Sequence, residues 1–171
     1  MNGNLRFGNL FGIPFFINIS WFFVLGLTAL NFGGGLAAQF PWLGSSALVL
    51  GLAAGILLFV SVLLHELGHS FAAQQQGIRV NSITLFLFGG LASLDDEAKT
   101  PAGAFWIAVA GPLVSLALFF LLTLITNSGL LAGPTAAIVG LLAYINLILA
   151  SFNMIPGLPL DGGNVLKAVV W

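Results

Sequence analysis

The only two histidines of this 171-residue chain stand four positions apart, in His65-Glu66-Leu67-Gly68-His69. On a helix that spacing puts both imidazoles on one face, a turn apart. There they can share one metal ion while Glu66 reaches a water on that metal. Zinc in such a site acts as a Lewis acid on a carbonyl and brings its bound water to a pKa near ~7; Glu66 takes the proton as the water attacks. The pattern is one of hydrolysis. Histidines four apart can also be hydrogen-bonded core residues. An ionisable glutamate in an apolar run, however, costs at least about 2.5 kcal/mol on insertion scales, so such a residue is normally paired or functional.

Zinc hydrolases use three protein ligands and leave a fourth position open, so a third Asp, Glu or His is required. The chain has no cysteine, which removes thiolate ligands and disulfides together. Asp95, Asp96 and Glu97 form a run beside Lys99 and read as a solvated loop. Asp161 is different, because it follows Asn153-Met154-Ile155-Pro156-Gly157-Leu158-Pro159-Leu160 and precedes Gly162-Gly163. The two prolines remove backbone donors and disfavour helix before them, so an apolar span must open here. Irregular backbone at membrane depth is tolerated only where protein or a watery cavity covers it, so the segment is expected to line a site. Asp161 is therefore the expected third ligand; its other reading is a polar cap on a helix beginning after Gly163.

The elements that must position these residues are apolar. Only 5% of residues are charged and 59% are hydrophobic, and the mean hydropathy is +1.11. A soluble domain carries about 25% charged residues. No Asp, Glu, Lys or Arg occurs between Arg6 and Glu66 or between Lys99 and Asp161, and each gap can hold two spans. The expected fold is an all-α multi-pass membrane protein in one domain, 1–171. Its spans fall at about 13–31, 47–74, 103–126 and 134–152, and a further helix starts over 163–171. The glycines, Pro41 and serines of 31–46 are expected to form a turn or a short interfacial segment, while the β-branched and aromatic SITLFLF stretch gives a small β element at about 78–94. Pro101 and Pro112 mark a helix start or a kink. The N-terminus lacks a small-residue cleavage site and reads as retained. Arg6, Arg79, Lys99 and Lys167 fall on one side if the spans alternate, which makes that side and the N-terminus cytoplasmic and brings the histidines near the same face. A net charge of -1 without a basic cluster argues against a nucleic-acid surface.

HELGH in one span and NMIPGLPLDGG after a later one resemble the site-2 protease family of intramembrane zinc metalloproteases. The likeness extends through Gly89-Gly90 and Ala110-Gly111-Pro112 and covers most of the chain. It implies that His65, His69 and Asp161 bind one zinc ion and that Glu66 is catalytic. It also implies that Asn153 helps bind substrate or stabilise the oxyanion, with Asn146 a second candidate; interhelical hydrogen bonds are the alternative role for both asparagines. Members of that family commonly continue past the Asp-Gly motif with further spans, and one branch adds a pair of CBS domains. This chain ends at Trp171 on what looks like the start of a helix, so a trimmed sequence is expected.

A helix hides its carbonyls, so a protease acting on membrane proteins must hold substrate extended. The SITLFLFGGLASL stretch can offer a sheet edge to which substrate adds as a strand, with Gly89 and Gly90 either part of that edge or a simple turn. The expected activity is zinc-dependent endoproteolysis of membrane-spanning or membrane-anchored proteins, in the lipid bilayer of the plasma (inner) membrane, in regulated intramembrane proteolysis. The alternatives are a metal-binding membrane transporter, a non-catalytic membrane scaffold, and another membrane zinc peptidase with the same His-Glu motif. Glu66 between the histidines favours hydrolysis over transport, and Asp161 in place of a later Glu or His favours the site-2 family.

Overall fold

The long uncharged runs fold as helices, and among the described residues four of them are long and apolar enough to cross a membrane. The computed structural model describes residues 3–87 and 89–170. Met1 and Asn2 of the expected core, Phe88 of the expected β element and Trp171 of the expected last helix lie outside the described residues. In chain order the elements are β1 (Asn4–Leu10), β2 (Ile13–Asn18), α1 (Ser20–Gln39), a 3-10 turn (Pro41–Leu43), α2 (Ser46–Gln75), β3 (Val80–Phe86), β4 (Gly89–Leu94), α3 (Pro101–Asn127), α4 (Gly133–Asn153) and α5 (Asp161–Val170).

The strands form one sheet in the order β1-β2-β3-β4, antiparallel at both ends and parallel in the middle, where Phe15 pairs with Ile83 and Ile17 with Leu85. The parallel pair needs a long crossover, which α1 and α2 supply. Alternate residues Ile13, Phe15 and Ile17 of β2 are buried, as are Ile83 and Leu85 of β3, and they pack with Val62, Leu63 and Leu67 of α2. The sheet thereby lies against the half of α2 that carries the histidines.

The first span differs from expectation. Residues 13–18 are strand, and helix begins at Ser20 and runs on to Gln39 through the three glycines expected to turn. The outward residues of β2, Pro14 and Phe16, are as apolar as the inward ones, so the period of two is invisible in composition. Asn18 marks the change, accepting a hydrogen bond from the Ser20 backbone N–H at 3.0 Å. The glycines of α1 remain helical because α2 comes very close: a Cβ on Gly33 would stand 3.0 Å from the Ala47 carbonyl oxygen, and one on Gly51 would collide with backbone of Ala29 and Gly33. The other helices extend the expected spans by one or two residues at each end.

Helix α3 begins at a Thr100 cap whose hydroxyl accepts from Gly103 N–H at 3.0 Å, with Pro101 in the first turn. Pro112 sits inside α3, where it removes one helical hydrogen bond. Helix α4 is tied to α2 by Asn146, fully buried, whose Nδ2 donates to Ser61 Oγ at 3.0 Å and to the Leu142 carbonyl at 2.8 Å. Large apolar side chains such as Phe23, Leu30, Val49, Phe120 and Leu124 are more than 60% exposed, a surface of the kind that meets lipid or another protein.

Candidate metal centre

His65 and His69 project from one face of α2, as their spacing requires. Asp161 reaches them from the first residue of α5, across the opened segment after α4. Gly162 and Gly163 allow that approach, since a side chain on either would run into backbone of residues 154–158. A carboxylate at a helix N-terminus is also favoured by the helix dipole, so Asp161 serves as both cap-region acid and ligand-type residue.

The three ligand-type atoms form a nearly equilateral triangle. His65 Nε2 is 3.2 Å and His69 Nε2 3.3 Å from Asp161 Oδ2, and the two Nε2 atoms are 3.3 Å apart. Ligands about 2.0–2.1 Å from a tetrahedral centre are separated by about 3.3–3.4 Å, so the triangle has the edge length of one face of such a centre. Chemistry agrees with geometry. His69 Nδ1 lies 2.7 Å from the Ile107 carbonyl, which only accepts, so this nitrogen carries the N–H and neutral His69 turns a lone pair from Nε2 toward the Asp161 carboxylate. Two imidazole nitrogens and a carboxylate oxygen converging within 3.3 Å make a donor set that suits a cation such as zinc. His65 Nδ1 is likewise held from behind, 2.9 Å from Ser115 Oγ. Burial of Asp161 opposes ionisation, yet the two imidazole rings against it outweigh this and hold the carboxyl below the usual carboxylate range.

Helix α3 makes room at Gly111. A Cβ there would lie 2.8 Å from His65 Nε2 and collide with His69 Nε2. Glu66, also buried, sits under β4: a Cβ on Gly90 would overlap the Glu66 carboxyl group. Gly90 is thus neither a plain turn nor only an edge residue, but the point where strand backbone touches the glutamate. Gly89, with φ at +135°, takes a conformation that side-chain-bearing residues avoid.

All four residues open onto a cavity of about 630 Å³, also lined by Gly89, Gly90 and Leu91 of edge strand β4 and by Asn153 and Lys167. The structure therefore brings together His65, Glu66, His69, Asp161, Asn153, Gly89 and Gly90. It does not bring in Asn146, which joins α4 to α2 and does not line this cavity. Sequence reasoning missed Ser115, the Ile107 carbonyl and the steric role of Gly111. A backbone carbonyl leaves no mark in a sequence, and a serine in an apolar helix has many uses.

A family profile described as "Peptidase family M50" matches residues 53–130 and 128–171. The chain is 60% identical over 172 residues to the Synechocystis protein named "Putative zinc metalloprotease sll0528", covering all of this chain and 45% of that one. It is 33% identical over 174 residues to "Zinc metalloprotease MJ0392" of Methanocaldococcus jannaschii, covering 99% of this chain and 46% of that protein. The chain thus spans less than half the length of these curated relatives. Among solved structures, the "Site-2 Protease from Methanocaldococcus jannaschii" superposes with a TM-score of 0.71 at 32% identity, over 98% of this chain and 71% of that one.

Proposed function

From the premise that this chain belongs to peptidase family M50, we propose that it forms the core of a zinc-dependent endopeptidase cutting membrane-spanning or membrane-anchored proteins within the bilayer. The observation that carries the reading is the triangle of His65, His69 and Asp161, whose edges match a tetrahedral zinc face and whose His69 lone pair faces a carboxylate. Those three residues hold the ion. Zinc placed there supplies Lewis acidity and a water acidified toward neutral pH.

The rest falls to the chain's own side chains. Glu66 accepts a proton from the attacking water and delivers it to the amide nitrogen as the C–N bond breaks, and the second water proton follows to the amine, leaving a carboxylate and an ammonium group. Its burial under Gly90 keeps the carboxyl aimed into the cavity. Asn153 lines the cavity at the end of α4 and donates one Nδ2–H to the Leu149 carbonyl at 2.9 Å, and its second N–H serves substrate or the developing oxyanion. Strand β4 is a sheet edge on the same cavity, so an unwound substrate segment adds to it through main-chain hydrogen bonds, with its scissile carbonyl over the site.

The helices α1 to α4 cross the membrane with the N-terminus on the cytoplasmic side, since Arg6, Arg79, Lys99 and Lys167 then share that side and the histidines lie toward it. The membrane is the plasma or inner membrane, and the role is release of membrane-tethered factors by regulated intramembrane proteolysis. The test is cleavage of a model transmembrane substrate in liposomes by wild type and Glu66→Gln, with zinc measured on both. The expected result is cleavage only by wild type with zinc on both proteins; a Glu66→Gln protein that cuts at the wild-type rate would exclude the mechanism.

A further inference from the structure

The two imidazoles differ in what stands behind them. His69 Nδ1 faces the Ile107 carbonyl at 2.7 Å, a pure acceptor, whereas His65 Nδ1 faces the Ser115 hydroxyl at 2.9 Å, which can accept or donate. Ser115 lies on α3 one turn beyond Gly111, is fully buried, and takes part in no step described above. The carbonyl admits one arrangement of neutral His69, with N–H at Nδ1 and a lone pair at Nε2. The hydroxyl admits two for His65.

From this asymmetry we infer that Ser115 is a positioning residue that lets His65 carry its proton on either ring nitrogen, making His65 the adaptable metal ligand and His69 the fixed one. The inference rests on the zinc reading of the triangle. With zinc bound, His65 donates Nδ1–H to Ser115 Oγ and gives its Nε2 lone pair to the metal; a helical serine can then place its own proton on a carbonyl one turn earlier. Without zinc, the His65 proton sits on Nε2. There Asp161 Oδ2 at 3.2 Å and the His69 Nε2 lone pair at 3.3 Å both accept, and Ser115 turns its hydroxyl proton onto Nδ1. The ring nitrogens are satisfied in both arrangements, and only protons change place. Removing the hydroxyl leaves His65 Nδ1 buried without its partner, and the Nδ1–H form that zinc requires loses its acceptor.

Because the chain holds only two histidines, nitrogen-15 histidine labelling reports each ring separately by NMR. Spectra of the protein in micelles, zinc-loaded and after chelation, with both rings neutral, read the proton positions. Chelator competition gives zinc affinity for wild type, Ser115→Ala and Ser115→Thr. Both rings are expected as Nδ1–H with zinc; after chelation His65 becomes Nε2–H while His69 is unchanged. Ser115→Ala is expected to weaken zinc binding by about 10–100-fold, with Ser115→Thr, which keeps the hydroxyl, restoring most of it. An unchanged His65 tautomer on chelation, or wild-type zinc affinity in Ser115→Ala, would overturn the inference. If Ser115→Ala does not fold, the wild-type spectra decide alone. If wild type binds no zinc, the zinc reading fails by itself, and the metal-free spectrum still judges Ser115: His65 as Nε2–H supports the arrangement and Nδ1–H overturns it.

Discussion

A single methyl group added at Gly111 should evict the metal while leaving the helices standing. The Cβ of a Gly111→Ala protein would lie 2.8 Å from His65 Nε2 and inside contact with His69 Nε2 and Cε1, the atoms facing the ligand triangle. Non-bonded heavy atoms settle about 3.5–4.0 Å apart, so at least one imidazole must withdraw by about 1 Å. Metal–ligand distances tolerate only about 0.2 Å. Zinc affinity should therefore fall at least ~100-fold, beyond the usual effect of losing one outer hydrogen bond. The folding cost is smaller: overpacking costs about 1–3 kcal/mol, offset by up to about 1 kcal/mol from replacing a helical glycine with alanine. At about 2–4 °C per kcal/mol for a chain of this size, the metal-free protein should melt within several degrees of wild type. Chelator competition and thermal melts followed by circular dichroism read the two quantities. Gly140→Ala is the control, because its Cβ meets only Thr126 at 3.8 Å, an ordinary contact. Wild-type zinc affinity in a folded Gly111→Ala protein would refute the packing argument.

Gly90→Ala pushes on the Glu66 carboxyl and not on the histidines, so it should retain zinc and lose cleavage by about 100-fold, the scale of a misplaced catalytic group; peptide release from a model substrate beside metal content checks this. Asn146→Ala leaves Ser61 without its partner and should destabilise the fold by about 1–3 kcal/mol while the folded fraction keeps both zinc and activity, read by thermal melts and turnover per folded molecule. A photocrosslinker at Leu91 on the β4 edge should capture a transmembrane substrate, whereas one at Phe23 on α1 should capture lipid; substrate labelling confined to Phe23 would remove β4 from the substrate path.

Much of this architecture is legible in the residues, for identifiable reasons. Helices α2, α3 and α4 announce themselves as apolar runs broken by Pro101, Gly133-Pro134 and Pro156. The pairing of His65 with His69 follows from helical spacing, and Asp161 stands out because prolines and glycines surround a lone acid after an uncharged run. Strands β1 and β2 are hidden because Ile13–Asn18 is apolar on both faces and merges with the start of α1. The glycines of α1 look like a turn because the sequence does not say that α2 presses against them. Asn146 and Asn153 are equivalent as letters seven residues apart, and only the packing of α4 sends one to Ser61 and the other to the cavity. The histidines' outer partners are a backbone oxygen and a serine, neither of which spacing can single out.

The claim on which everything else depends is that His65, His69 and Asp161 hold one zinc ion. It is tested most directly by metal analysis of the purified, dialysed protein beside His65→Ala, His69→Ala and Asp161→Ala, each confirmed to be folded. About one zinc per wild-type chain and a loss in every variant is the expected result. Wild type without zinc, or an Asp161→Ala protein that keeps it at full occupancy, would contradict the assignment.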